Sequence, residues 1–493
     1  MAVSYCCFVS DEIPSDAVPG VTRDLVTMLV VPGLSMIHRH RRLGVVLLAG
    51  GVGAPIVMAI WTLVRGGSRL NTLLDDRFHL GVIVTCALII TTRIVAMIEL
   101  ARTRWHSPRR LAITIAAFAS LAAVSVPVSF VMAGAIDARS TIDEVFVAGQ
   151  PDPVFDLSEF DEPTTVATTT TTTRPTVLPT TTIDTLPRVT LAPPTTTTST
   201  TSTTLVPLDK SPLVGVRTVL LLGGDAGPGR SGLRTDSMIL LSVDEASGRA
   251  GLISVPRDLL RLRFPPETPL ADRYPDGFPE LANAVYPIVS RDRGLREFYG
   301  RNGESPGMVA TAQALGYSLG VSIDDVVLVN MQGFLELIDA LGGVTVELPG
   351  RLSMPGNVPG AKHELPPTLG PGIITMDGTT ALGYVRSRHD DSDYQRMRRQ
   401  RALLAALGSQ ISTADIVLRF PDITGALGDA LRTTMSAGEF ADLIAIVGDQ
   451  AAIVESVGLV PPLVKPSRPD YARLDRIVAE VMLALVSGQP SGY

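Results

Sequence analysis

Cysteine is nearly missing from this chain of 493 residues, and what there is sits towards one end, at Cys6, Cys7 and Cys86. Everything beyond must fold without disulfides and has no thiol nucleophile. Histidine is almost as thin, and beyond residue 106 only His363 and His389 remain, too few soft ligands for a zinc centre. A hydrolase triad built on His389 is set aside. Lysine is confined to Lys210, Lys362 and Lys465, so nearly every cation is an arginine. Arginine is the residue suited to paired, planar contacts with phosphate or carboxylate. A net charge of -7, with basic groups matched by acids, gives nucleic-acid binding little support.

What the chain has in excess is long apolar runs near its start. Leu43–Val64, Leu80–Leu100 and Leu111–Ile136 are each long enough to cross a hydrocarbon layer of about 30 Å. No short apolar segment with a small-residue cleavage site precedes them, so a removable signal peptide is not expected. Arg39, Arg41 and Arg42 precede the first span, and Arg102, Arg104, Arg109 and Arg110 fill the second loop. The positive-inside rule then places residues 1–42 in the cytoplasm as a tail and 43–136 in the membrane as three helices. Everything after Ile136 is expected outside the cell. Arg93, near the cytoplasmic end of the second span, is read as snorkelling to the interface.

Residues 137–211 turn threonine- and proline-rich, a composition that cannot bury enough apolar surface to offset the entropy of ordering. This stretch is expected to be a disordered, semi-rigid extracellular linker that holds the following domain away from the membrane, and a substrate for O-glycosylation. From Pro212 strands alternate with helices. Val216–Leu222, Ser237–Val243, Gly251–Val255, Asp325–Val329 and Val344–Leu348 read as strands; Met308–Leu319, Gln332–Leu341, Ala402–Ile411, Ala437–Val447 and Tyr471–Leu485 read as helices. The fold class is α/β: a layered extracellular domain with a central mixed sheet flanked by helices. Its main unit spans 212–411, followed by a helical part at 412–493.

The first strand runs into a glycine-rich loop in which Gly227, Gly229 and Gly232 satisfy G-x-G-x-x-G. That fingerprint needs a helix to follow, and here a second strand follows, so dinucleotide binding is rejected. No Gly-Lys-Ser/Thr is present either, which removes the P-loop reading. The loop brings Asp225 and Asp236 together at strand ends. Two hard carboxylates with few other ligands suit Mg²⁺ (or Mn²⁺), which keeps waters and takes its remaining contacts from substrate phosphates. Arg234 stands beside Asp236, and Ser254-Val-Pro-Arg-Asp258 ends a further strand in an arginine and an aspartate, Arg257 and Asp258. Last comes an arginine-dense run, Tyr384 to Gln400. It reads as a strand with Tyr384, Arg386 and Arg388 on one face, then a helix capped by Ser392, with Gln395 at the capping-box spacing. On that helix Asp393, Arg396 and Gln400 share a side.

These motifs together resemble the LytR-CpsA-Psr phosphotransferase family. The resemblance rests on Leu221-Leu-Gly-Gly-Asp225, Arg234-Thr-Asp236, Ser254-Val-Pro-Arg-Asp258, Asn283-Ala-Val-Tyr286, Asp339-Ala-Leu-Gly-Gly-Val344, Asp377 to Arg388, Asp393-Tyr-Gln-Arg396 and Arg399-Gln400. It implies transfer of a glycopolymer from a polyprenyl-pyrophosphate carrier to a peptidoglycan hydroxyl. It also implies Mg²⁺ on Asp225 and Asp236 and pyrophosphate bound by Arg257, Arg386, Arg388, Arg396 and Gln400. Arg234, beside Asp236, is a further candidate to hold that aspartate or a phosphate, and Asp258 or Asp393 is the candidate to assist deprotonation. The alternatives are a non-catalytic lipid-pyrophosphate-binding module and a pyrophosphatase. One departure stands out: the family commonly has lysine where this chain has Leu281. Either a phosphate contact is missing, or Arg273 or Arg291 substitutes.

Overall fold

A computed structural model describes residues 41–64, 72–103, 110–146, 213–225, 233–300, 305–388, 392–427, 431–449 and 453–493. Near its start lie α1 (Arg41–Leu48), a π turn (Ala49–Gly53), α2 (Ala54–Val64), α3 (Asp76–Thr103) and α4 (Arg110–Val145). Three helical stretches here are long and apolar enough to cross a membrane by length and composition: Arg41–Thr62, Asp76–Glu99 and Leu121–Asp143. The threonine-rich stretch from 147 to 212, the glycines at 227, 229 and 232, and His389 lie outside the described residues.

Beyond it the chain forms β1 (Val216–Gly224), β2 (Thr235–Asp244), β3 (Ala250–Ser254), α5 (Pro269–Arg273), α6 (Val285–Arg291), α7 (Arg293–Tyr299), α8 (Pro306–Leu319), β4 (Asp325–Asn330) and α9 (Met331–Ala340). Next come β5 (Val344–Leu348), β6 (Leu352–Ser353), β7 (Thr368–Leu369), β8 (Gly372–Met376), α10 (Gly378–Arg386) and α11 (Asp393–Gln410). The last elements are α12 (Thr413–Leu418), α13 (Phe420–Leu427), β9 (Leu431–Thr433), α14 (Ala437–Asp449), β10 (Ile453–Gly458) and α15 (Tyr471–Ser487). Six strands make one mixed sheet in the order β10-β3-β2-β1-β4-β9. β1 pairs antiparallel with β2 and parallel with β4, and β3 pairs parallel with β10.

Strand alternation sends two sets of apolar side chains to opposite faces. Leu220, Leu222, Met238, Leu240, Ile253, Val326 and Leu328 join one core with α6, α8 and α15. Val219, Leu221, Leu241, Val327 and Val329 belong to a second, facing α9, α13 and α14. The sheet is thus buried on both sides, the middle layer of a sandwich. β5 and β8 form a separate antiparallel pair that packs with α9, α10 and α11 around a third core.

Three expectations need correction. Tyr384 and Arg386 belong to α10, not to a strand. Asp377 caps that helix by accepting from the Thr380 amide, and period-two spacing over five residues could not outweigh a cap placed seven residues earlier. The part from 412 to 493 is not purely helical, because it supplies β9 and β10, which close the two edges of the main sheet. Nor does helix stop at Ile136: α4 runs on to Val145, and Phe146 bridges to Thr433 on β9. The domain therefore packs directly on the end of α4 rather than standing off from it.

Candidate functional site

The C-terminal ends of β1, β3 and β4 and the start of β2 converge on one edge of the sheet, and the polar residues singled out in the sequence lie there. A register shift between Gly223 and Gly224 breaks the β1–β2 ladder at its last step, which turns Asp225 off the strand line. Gly223 must stay bare, since a Cβ there would lie 2.9 Å from the Ser237 Cβ. The backbone of Arg234 ties the two acids together. Its amide donates to Asp225 Oδ1 at 2.7 Å, and its carbonyl accepts from the amides of Asp225 and Asp236 at 3.0 and 3.1 Å.

Beneath these strand ends lies a cavity of about 520 Å³. Its interior is apolar, walled by Leu221, Ile239, Val327 and Val329 from the sheet, Phe334 and Leu337 from α9, Leu382 from α10, and Leu403 and Leu407 from α11. Asp225, Asp236, Arg257, Arg386, Arg388, Arg396 and Gln400 line it too, so four guanidiniums meet the apolar chamber.

Three of those guanidiniums, Arg257, Arg388 and Arg396, are held by acids. Asp393 accepts from Arg396 Nε and Nη2 at 3.0 and 2.9 Å, and its carboxylate lies 3.4 Å from Arg257 Nε and 3.3 Å from Arg388 Nε. Arg257 also donates to Asp236 Oδ1 at 2.9 Å, and Asn283 donates to the same oxygen at 3.0 Å. Arg396, only 5 % exposed, reaches the Asp236 carbonyl at 3.3 Å. Burial pushes the Asp393 carboxyl up, but the Arg396 hydrogen bond and the charges of Arg396, Arg257 and Arg388 outweigh it and hold it below the ordinary carboxylate value. Burial likewise opposes ionisation of Asp236, and Arg257 with Asn283 and Arg396 reverses that, so its pKa too is lowered. Arg388 moves the other way: burial and the neighbouring Arg396 and Arg257 charges lower its pKa despite Asp393 and Asp236. Clustered like charges of this kind favour a bound anion.

Not every residue picked from the sequence faces the cavity. Arg234 contributes backbone, its side chain being exposed and absent from the lining. Asp258 does not line the cavity, and its Oδ1 is buried without a hydrogen-bond partner. Ser392 is the N-cap residue of α11 without a side-chain cap bond, so the capping box did not form. Neither Arg273 nor Arg291 lines the cavity, and Arg273 pairs instead with Asp292 at 3.3 Å. The sequence reading missed the anchoring part of Asn283 and of Arg399, which donates to the carbonyls of Tyr384 and Ser387 at 3.1 and 2.5 Å and so ties the end of α10 to α11. It also took a Gly-x-Ser-x-Gly string to be absent when setting the hydrolase triad aside, whereas one stands at 303–307. Ser305 there precedes α8, pairs with the Tyr286 hydroxyl at 3.3 Å and stands outside the cavity, so it is no nucleophile elbow.

Asp225 and Asp236 face one cavity as a hard oxygen donor pair, which fits Mg²⁺ or Mn²⁺ completed by waters and phosphate oxygens. Among the described residues no group of three or more His, Cys, Asp or Glu forms a closed metal cage.

A mixed α/β sandwich with clustered arginines over an apolar chamber, joined to apolar helices, is an architecture suited to an amphiphilic anion. The model of the LytR_cpsA_psr family matches residues 195–459, more than half of the chain, and the chain belongs to that family. Biofilm regulatory protein A of Streptococcus mutans is 27% identical over 224 residues, 44% of this chain and 50% of that protein. Polyisoprenyl-teichoic acid–peptidoglycan teichoic acid transferase TagU of Oceanobacillus iheyensis is 28% identical over 228 residues, 46% of this chain and 61% of that one. The chain thus spans about half to three fifths of the length of these relatives. Among solved structures, Bacillus subtilis TagV aligns with a TM-score of 0.41 at 21% identity, covering 55% of this chain and 97% of that one.

Proposed function

We propose that this protein transfers a glycopolymer from a polyprenyl-pyrophosphate carrier to a hydroxyl of peptidoglycan, leaving a phosphodiester link. The observation that carries the reading is the joining of an apolar chamber to four guanidiniums and two carboxylates in one cavity. A polyprenyl pyrophosphate has the same two halves, an apolar chain and a compact anion. The names of the TagU relatives, teichoic acid transferases acting between a polyisoprenyl carrier and peptidoglycan, support it.

In this reading the chamber takes the first isoprene units, and Arg257, Arg386, Arg388, Arg396 and Gln400 hold the pyrophosphate oxygens. Asp225 and Asp236 would hold Mg²⁺ (or Mn²⁺), which supplies charge neutralisation at the phosphates when bound. Phosphoryl transfer asks the protein mainly for positioning and charge stabilisation. The acceptor hydroxyl oxygen bonds to the sugar-proximal phosphorus and gives up its proton to water, the bond from that phosphorus to the bridging oxygen breaks, and polyprenyl phosphate leaves with the electron pair. The guanidiniums stabilise the charge that develops on it. Asp393, held ionised by three arginines, is an anchor for them more than a proton acceptor. The domain works on the outer face of the membrane, the orientation given by the basic residues of the N-terminal loops.

The test is turnover of a lipid-pyrophosphate glycan by the full chain in detergent, with a peptidoglycan acceptor and Mg²⁺. Glycan joined to acceptor, lost on chelation and restored by Mg²⁺, is expected. Free phosphorylated glycan alone would make the protein a pyrophosphatase, and binding without turnover a carrier-binding module; either result ends the transferase reading.

A further inference from the structure

A second cavity, of about 430 Å³, lies away from the first and is lined by none of its residues. It is framed by Arg261, Arg263, Tyr274, Asp276, Tyr317 and Tyr471. Three features separate it from an ordinary surface dent. Arg261 and Arg263 form no ion pair among the described residues, whereas Arg257, Arg388 and Arg396 of the first site each have a carboxylate partner. The Arg263 guanidinium lies over the Tyr471 ring, 4.9 Å from its centroid, a cation–π contact that holds it at the cavity wall. Arg261 sits at φ 58, in the left-handed region that a branched-free but bulky side chain rarely occupies. That conformation is over-determined: its amide donates to the Phe278 carbonyl at 3.1 Å, the Phe278 amide donates to Leu262 at 2.8 Å, and the Tyr471 hydroxyl donates to Leu260 at 2.8 Å. Strained residues fixed in this way concentrate at ligand sites.

We propose that this cavity binds an anionic saccharide, a sugar bearing phosphate or carboxylate. The two guanidiniums would take the anion through paired, charge-assisted hydrogen bonds, and the tyrosine faces would cover the apolar face of the ring. Asp276, the acid in the lining, faces the sugar hydroxyls as an acceptor. The cavity stands on the same connection as the first site. Arg257 and Arg261 are four residues apart, so their Cα atoms lie within about 14 Å of each other. A glycan of a few units is long enough to cover a separation of that order. The proposal deepens the transferase reading by giving the polymer or its acceptor a subsite, but binding here does not depend on turnover there.

Binding of N-acetylglucosamine 1-phosphate, N-acetylmuramic acid and neutral N-acetylglucosamine to the full chain in detergent, by calorimetry, tests it. One of the two anionic sugars should bind more tightly than the neutral one, the phosphate pointing to the transferred polymer and the carboxylate to the peptidoglycan side. Arg263→Gln and Arg261→Gly should each weaken that binding by about tenfold. Glycine relieves the positive φ, so Arg261→Gly should keep or raise the thermal midpoint, which separates lost binding from lost fold. Unchanged affinity in both variants, equal affinity for the neutral sugar, or loss in Arg257→Ala alone would each overturn the assignment, whatever the outcome of the transfer assay.

Discussion

Asp393 shows how far a residue's role can lie from its residue type. In the sequence it is one acid in an arginine run and a candidate base; in the fold it is the point from which Arg257, Arg388 and Arg396 are aimed. Removing its charge deprives the buried Arg396 of its ion-pair partner. Asp393→Asn should therefore cost about 1–3 kcal/mol of unfolding free energy, less than a fully buried pair would lose because Asp393 keeps some solvent contact. The sign with pH follows from the lowered carboxyl value. The ion pairs contribute fully above the unfolded-state pKa of about 3.9 and fade as pH falls through the lower folded value. The gap between wild-type and variant denaturation midpoints should stay constant from neutral pH down to about pH 5 and close below it; a gap that persists under strong acid would refute the charge account. Arg257→Ala, by contrast, should leave the circular dichroism unchanged while turnover falls about a hundredfold or more, since Asp236 keeps Asn283. Wild-type rates would remove Arg257 from the site. The charged residues themselves were legible because family motifs mark them. Asn283 and Arg399 stand in those motifs too, but their roles were not legible, because what they do is set by partners 47 and 15 residues away that no local pattern records.

At the scale of elements, the buried strands were the easiest to read, since β1, β2 and β4 are continuous apolar runs whose limits differ from expectation by only a residue or two. Edge strands were not. Leu431–Thr433 is three residues long and Ile453–Gly458 alternates weakly, and both derive their stability from pairing with distant strands rather than from their own sequence. α10 was misread for another reason: beside the Asp377 cap, a tertiary contact decides it. Gly378 begins that helix against α9, and a Cβ there would drive into the Leu335 carbonyl. Gly378→Ala should push α10 off α9, at about 1–3 kcal/mol in chemical denaturation, and displace Arg386 and Arg388 with it. Transfer should drop alongside stability. A variant as stable as wild type would show that the close approach of the two helices is not required.

At the scale of the whole molecule, the sequence suggested a domain on a tether and the structure shows one seated on a helix end. The charged residues past Ile136 looked like the exit from the membrane, yet they stay helical because their polar groups are satisfied within the helices. Ser140 and Thr141 hydroxyls donate to the Asp137 carbonyl, and Arg139 pairs with Asp76 on α3 at 2.7 Å. The extension then reaches the sheet: Val145 is buried in the core beneath β1 and β4, Phe146 packs against Phe440 at 5.3 Å, and His79 of α3 stacks on Phe420 at 6.2 Å. Seating of this kind fixes the domain, and so both cavities, relative to the apolar helices, an arrangement that would serve the proposed lipid-linked substrate by keeping its chain near the membrane while its pyrophosphate enters the site. Phe146 and Thr433 are bridged partners across the junction, within reach of a disulfide once both are cysteines. In a background with the natural cysteines replaced, Phe146→Cys with Thr433→Cys should therefore cross-link under mild oxidation in intact membranes. After proteolysis the α4 and β9 peptides should remain joined until reduced, and the cross-linked protein should keep transferring glycan, because locking a contact that already exists changes nothing in the site. Cross-linking that abolishes transfer would show that the domain must lift off α4 to work, and no cross-link at all would return it to the tether.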